Sequence, residues 1–321
     1  MEMLYKTTTL KNLPMHNVFN RTCIFEPVVK NNQSLLRKRE YSDTVYKVLI
    51  EGCYLNCSVD YPLFAILIAQ YINNVIDEVD NPIITTIPLS IIVDSIGVSG
   101  AGNRDANFKK IYGSLARLEN TKISYMNQIS KKVVEGTLII NSDLDFKNKS
   151  LTVHFTQLIL DLYNLESIKE SEVKFMNIQQ LTEIDTEGAK ALYKFLVTQS
   201  KGYIDFTFER LSMVLGYHYR TVAGKRNAKP EERKIPLKDS KKRGYIKEAL
   251  NILKSNGMIA DFHYYAKLGH YRMLQTEYYP DIVQDIDIHK LKSNIKQIKQ
   301  VKFKKSKSAQ DDDFPFDPKN N

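Results

Sequence analysis

Lys241, Lys247 and Asn251 fall on one side of Lys238 to Gly257 (KDSKKRGYIKEALNILKSNG) when that stretch is wound as a helix. Gly244 lies among them, with Lys242 and Arg243 on the flanks. Lysine and arginine supply cationic donors for phosphate oxygens and guanine edges, and asparagine can pair with an adenine edge. A glycine between them lets a rigid partner come close to the helix backbone. The opposite side carries Ile246, Ala249, Leu250 and Leu253, a stripe that needs a core to cover it. Ser240 is the expected N-cap and Gly257 the stop. A helix with an apolar back and a basic, small-residue front fits the major groove of a duplex. A solvated surface helix can show the same front, so the neighbouring elements decide its meaning.

A second stretch repeats the arrangement. Asn103 to Asn120 (NRDANFKKIYGSLARLEN) has Phe108, Ile111, Leu115 and Leu118 as its core stripe. Its outer face is Ala106, Lys109, Gly113 and Ala116, flanked by Lys110 and Arg117, with Arg104 at its start. The charge of the chain is also concentrated. Lys201 to Ala260 holds 14 Lys/Arg against 6 Asp/Glu, a net of +8 out of a total of +9. The connection Tyr217 to Leu237 brings Arg220, Lys225, Arg226 and Lys229 beside the helix, where they would position a backbone phosphate. Charge gathered in one region is the footprint of a polyanionic partner.

The elements that must position these helices follow from the apolar periodicity. Phe206 to Gly216 reads as a short extended piece and then a helix buried through Phe208, Leu211 and Leu215. Met258 to Phe262 and His270 to Leu274 read as strands around Ala266-Lys267-Leu268-Gly269. Helix, connection, basic helix and hairpin is the order of a winged helix-turn-helix. Upstream, Asp43 to Leu55 is a predicted strand. Pro62 to about Val79 is a predicted helix with Leu63, Ile66, Leu67, Ile72 and Val75 buried. Ile87 to Gly97 is a short helix. Strands at Lys122–Met126, Val133–Leu144 and Leu151–Phe155 follow, with a turn near Lys147, and a helix at Thr156–Tyr163 closes the half. Val173 to Ile178 is extended or 3₁₀, and Asp185 caps a helix running through Leu196 to Gly202.

The halves overlay without gaps in two places. Ile87, Leu89, Ile92, Ile96 and Gly97 match Phe206, Phe208, Leu211, Leu215 and Gly216, while Ile111, Leu115, Leu118 and Ile123 match Ile246, Leu250, Leu253 and Met258. This argues for an internal duplication. The expected fold is α+β, with two tandem winged-helix domains at 41–165 and 172–280. A loosely held arm is expected at 1–40, and a basic then acidic disordered tail at 281–321.

Composition excludes several classes. The three cysteines include no metal-ligand set, and they read as reduced packing residues. No signal peptide or membrane span is expected, so the chain is placed in the cytoplasm without membrane contact. There is no GxxxxGK[ST] phosphate cradle. The six histidines include no pair separated by one apolar residue, as a nicking enzyme would need. No catalytic activity, cofactor or metal is expected. Lys290 to Lys307 carries eight lysines and no acid, and DDDFPFD follows at Asp311–Asp317. With Asp311, Asp312, Asp313, Phe314 and Phe316, that segment resembles the acidic, Phe-ended docking tip of bacterial single-strand DNA-binding proteins.

Four stretches together resemble a known family. They are IPLSIIVDSIG with KKIYGSLARLENTKIS, LTVHFTQLILDLY, LTEIDTEGAKALYKFL and KKRGYIKEALNILKSNGMI. Their pattern of apolar positions is similar to iteron-binding initiators of theta-replicating bacterial plasmids, most closely the RepC-type initiators of IncQ plasmids. The resemblance implies binding to repeated duplex sites at an origin, melting of adjacent AT-rich DNA and recruitment of a replicative helicase or its loader. It also implies autorepression and dimers, which are common in that family. It implies DNA contacts from Lys241, Lys242, Arg243, Lys247 and Asn251, and from Arg104, Lys109, Lys110 and Arg117. The alternative is a winged-helix transcriptional regulator with no replication role.

Overall fold

The two overlaid registers mark two runs of strand, helix, helix and hairpin. The fold is taken from a computed structural model, which describes residues 13–27, 36–76, 79–96, 104–163, 172–199, 203–217, 219–221 and 234–275. Strand β1 (Leu13–His16) and helix α1 (Asn17–Arg21) precede β2 (Leu36–Ser42) and β3 (Tyr46–Cys53). Next come α2 (Asp60–Ile76), β4 (Ile84–Pro88), α3 (Leu89–Ser95), α4 (Arg104–Glu119), β5 (Thr121–Asn127) and β6 (Val133–Thr137). Then β7 (Ile139–Asp145), β8 (Ser150–Phe155) and α5 (Gln157–Leu162) close the first half. The second half holds β9 (Val173–Met176), α6 (Ile178–Glu183), α7 (Glu187–Leu196), β10 (Tyr203–Thr207) and α8 (Phe208–Val214). It ends with β11 (Tyr219–Thr221), β12 (Lys234–Pro236), α9 (Asp239–Ser255), β13 (Ile259–Tyr265) and β14 (His270–Gln275). All belong to one compact unit, Met1–Ile282; the tail and its acidic tip lie outside the described residues.

The two halves share more than a pattern of apolar residues. Sheet β4-β8-β7 has the same strand order as β10-β14-β13, antiparallel throughout. Each hairpin slips register at the same place, between Ile139 and Asn141 and between Ile259 and Asp261. Each turn ends on a left-handed residue, Lys149 (φ 53°) and Gly269 (φ 63°). The carbonyl of that residue accepts the N–H that opens the helix preceding the basic one, α3 or α8. Leu89 donates to Lys149 at 2.8 Å, and Phe208 donates to Gly269 at 2.8 Å. Each bond satisfies a helix-start donor that has no partner inside its own helix.

The overlay fails at one pair. Ile123 lies in β5, opposite Ile50 of β3 and Gly136 of β6. Strands β5 and β6 are inserted between α4 and the β7–β8 hairpin, and they join β2 and β3 in the sheet β2-β3-β5-β6. Met258 instead leads straight into its hairpin, so the two positions are not equivalent. The second half has its own insertion, the antiparallel pair β11–β12 between α8 and α9.

The apolar stripes are buried as their spacing requires. Ile246, Leu250 and Leu253 are fully buried, as are Ile111 and Leu118. Each such side chain contributes about 1.5–3 kcal/mol relative to an exposed one. Val75, assigned to the buried face of α2, is 45% exposed, because the last turn of α2 runs past the core. Helix starts differ by a residue or two. Lys238 occupies the N-cap of α9 instead of Ser240, and Thr186, not Asp185, caps α7 by accepting from Ala189. Val173–Met176 is extended as expected, and Ile178, the last residue of that reading, instead opens α6.

The described part of the N-terminal segment is not a loose arm. β1 pairs antiparallel with β9, and Met15, Val18 and Phe19 are fully buried. The His16 ring caps α1 by accepting from the Val18 N–H, at 3.1 Å. Lys194 of α7, itself fully buried, donates to the carbonyls of Phe19, Asn20 and Thr22 at 2.6, 3.3 and 3.0 Å. Those oxygens are among the unpaired carbonyls at the end of α1, so the ammonium replaces a missing turn of helix.

Candidate nucleic-acid interface

The front of α9 is open. Lys241, Gly244, Lys247 and Asn251 are all exposed. A Cβ built on Gly244 would meet nothing within 4 Å, so nothing in the described residues requires glycine there. The flanking cations are engaged within the chain. Lys242 is half-buried and lies 3.2 Å from the Asp239 carboxylate in the same first turn. The Arg243 guanidinium lies 5.0 Å from the ring centre of Phe208 and 5.9 Å from that of Tyr264. It braces α9 against α8 and β13, a cation–π role that fixes the angle of the helix. Tyr245 stacks on Tyr217, with centroids 5.4 Å apart.

The front of α4 carries fewer free cations than its sequence suggests. Lys109 and Lys110 are exposed, and Tyr112 beside them is 69% exposed. Arg117, expected on the DNA-facing side, instead points inward. Its Nε lies 3.2 and 3.1 Å from the two oxygens of Asp60, and its Nη2 lies 2.6 Å from Asp60 Oδ1. The Ser114 hydroxyl donates to the same carboxylate at 2.6 Å. Asp60 is fully buried at the start of α2. Burial pushes its carboxyl up, and Arg117 and Ser114 pull it back. A buried carboxylate demands a partner, and Arg117 is the cation within reach. The Arg104 side chain lies outside the described residues. So do the side chain of Arg220, in β11, and all of Lys225, Arg226 and Lys229.

The structure adds the hairpin tips, which the sequence reading left out. Lys147 and Lys149 are exposed in one turn, and Lys267 in the other. Beside them Phe146 is 58% and Leu268 71% exposed. Phe146 stacks edge-on against Phe108 at 5.1 Å, tying hairpin to helix as Arg243 and Tyr264 do in the second half. Lysines at matching turn positions were a signal available in the sequence. The outward sheet faces have diverged. Thr86 and Thr152 share a hydroxyl contact in the first, at 3.0 Å, where the second has Asp205 bonded to Arg272 through both oxygens.

Among the described residues, no group of three His, Cys, Asp or Glu could hold a metal ion. No described helix is long and apolar enough to cross a membrane. The cysteines are free, and burial pushes all three thiols up, away from the reactive thiolate.

No protein-family model matches the chain, and no curated protein matches it. Solved structures do. A crystal structure of domains 2 and 3 of RctB (selenomethionine derivative) aligns at 10% identity and TM-score 0.48, over 80% of this chain and 96% of that one. A second RctB structure of the same domains aligns at 9% identity and TM-score 0.44, over 82% and 98%. The Pi initiator protein, crystallised with iteron DNA, aligns at 16% identity and TM-score 0.46, over 72% of this chain and 98% of that one.

Proposed function

We propose that the chain is a plasmid replication initiator that binds repeated duplex sites, the ligand class of the Pi initiator, through two tandem winged-helix domains at 41–165 and 172–280. One observation carries the reading. Both halves place a helix with an exposed basic front, α4 and α9, beside a hairpin locked to the preceding helix by the same hydrogen bond. Each helix enters a major groove, and each hairpin tip rests on the adjoining backbone. In the second half Lys241, Lys247 and Asn251 make the contacts. In the first half they come from Lys109 and Lys110, together with Arg104. Arg220, Lys225, Arg226 and Lys229 position phosphate. Lys242 and Arg243 hold the helix and contact DNA only with donors left free by their partners.

Melting of AT-rich DNA, helicase recruitment, dimer formation, autorepression, tail docking, a non-enzymatic role and kinship with RepC-type initiators belong to the same proposal. Footprinting on the replicon that encodes the chain tests it. Protection of direct repeats is expected; protection of a lone palindrome at a promoter would favour a transcriptional regulator. Replacing Lys241 and Lys247 together by alanine lowers the slope of log K against log salt by about two. An unchanged slope removes both lysines from the interface.

A further inference from the structure

We propose that the buried ties between α8 and the first half act as a ruler, fixing the separation of α4 and α9 so that the chain accepts two half-sites at one spacing. The inference rests on the duplex-binding reading above. Helix α8 supports α9 through Arg243 over Phe208, and on its other side it is anchored twice. Arg210 of α8 pairs with Asp43 in the β2–β3 turn, and its guanidinium lies 5.2 Å from the Tyr41 ring centre. Asp43 cannot follow a moving partner. Its Oδ1 accepts from the N–H groups of Val45 and Tyr46 at 2.7 and 2.6 Å, and its Oδ2 accepts from the Tyr41 hydroxyl at 2.9 Å.

The second anchor is Gly216, just past α8 with φ +66°, where a Cβ would fall 2.0 Å from Glu26 Oε2. Glu26 is held by Arg37 and Arg39 of β2, and Arg37 also donates to the carbonyls of Cys23 and Ile24. A further bond runs from the Cys57 N–H to Glu187 of α7, at 2.7 Å. Side chains of Glu26 and Asp43 are 2% and 6% exposed, and Arg210 17%. Charges this deep tolerate one arrangement, because separating them strands a buried ion. A flexible surface linker would let the two helices sample many separations. Two rigidly joined readers bind a pair of sites with high effective concentration at one spacing, and lose it elsewhere. Arg210 and Asp43 are thus positioning residues, distant from the helix fronts.

The test uses the full chain with Arg210→Met, Asp43→Asn and the conservative Arg210→Lys. Spin labels introduced through Tyr112→Cys and Ser255→Cys, in a Cys53→Ser background, report the α4–α9 distance without DNA. The wild type and Arg210→Lys give one narrow distribution, whereas Arg210→Met and Asp43→Asn broaden it. On duplexes carrying the footprinted repeat split by inserted base pairs, half a turn of insertion weakens the wild type about 100-fold. It weakens Arg210→Met about tenfold, with affinity for an isolated half-site unchanged. Equal distance widths, or equal spacing profiles for folded wild type and variants, overturn the proposal. A wild type that binds no duplex sinks the functional reading instead, and the label distances still decide whether these residues fix the two helices.

Discussion

Gly244→Ala separates stability from function at the front of α9. Gly244 is interior to a helix running from Asp239 to Ser255, and an added Cβ would meet nothing within 4 Å. Alanine is favoured over glycine in a helix interior by about 0.8–1 kcal/mol. The substitution therefore stabilises the free protein and raises the unfolding midpoint by about 2 °C. If α9 lies in a major groove, the same methyl intrudes where a rigid surface approaches the backbone. Overpacking a close contact costs about 1–3 kcal/mol, so affinity falls roughly fivefold to 100-fold. Fluorescence anisotropy with a labelled repeat duplex measures the affinity, and calorimetry on the same sample measures the midpoint. A protein that is more stable and binds the duplex equally well or more tightly refutes the placement of α9 against DNA. Loss of both stability and binding refutes the structural premise that the site is open.

Other perturbations test the inward and outward roles of cations. Arg117→Met leaves the Asp60 carboxylate buried without its guanidinium and costs about 3–5 kcal/mol in denaturant unfolding. Lys109→Ala, on the same helix, changes stability by under about 0.5 kcal/mol but weakens duplex binding; the opposite ranking would reverse the assignment. Burial lowers the Lys194 ammonium from its ordinary 10.5 to about 8. The unfolded chain therefore holds more protons than the folded one between these values. Stability from this group rises as pH goes up from about 8 to 10.5, with a gain of about 1 kcal/mol between pH 7 and 9. The stability difference between wild type and Lys194→Met should widen by that amount over the interval, and a constant difference rules the mechanism out. Lys267→Ala lowers affinity without altering repeat preference, because a turn lysine contacts phosphate and not a base edge.

Sequence alone determined the local elements whose periodicity is strong. The stripes Ile111–Leu115–Leu118 and Ile246–Leu250–Leu253 identify α4 and α9, and Gly257 ends α9 in a left-handed turn (φ +70°). Such features depend on neighbours three or four residues away, which the chain order states directly. The exposed positions Lys109 and Lys110 of α4 and Lys241, Lys247 and Asn251 of α9 were legible for the same reason. What tertiary structure decided were the partners chosen across long separations. Nothing near Arg117 in sequence shows that it serves Asp60, and nothing in 13–27 predicts that Lys194 will cap α1 from 172–175 positions away. The insertion of β5 and β6, which separates Ile123 from the role of Met258, was equally hidden, because strands declare a face but not a neighbour. Burial sets the cost of an unpaired charge or carbonyl, and only the folded chain shows which groups are buried together.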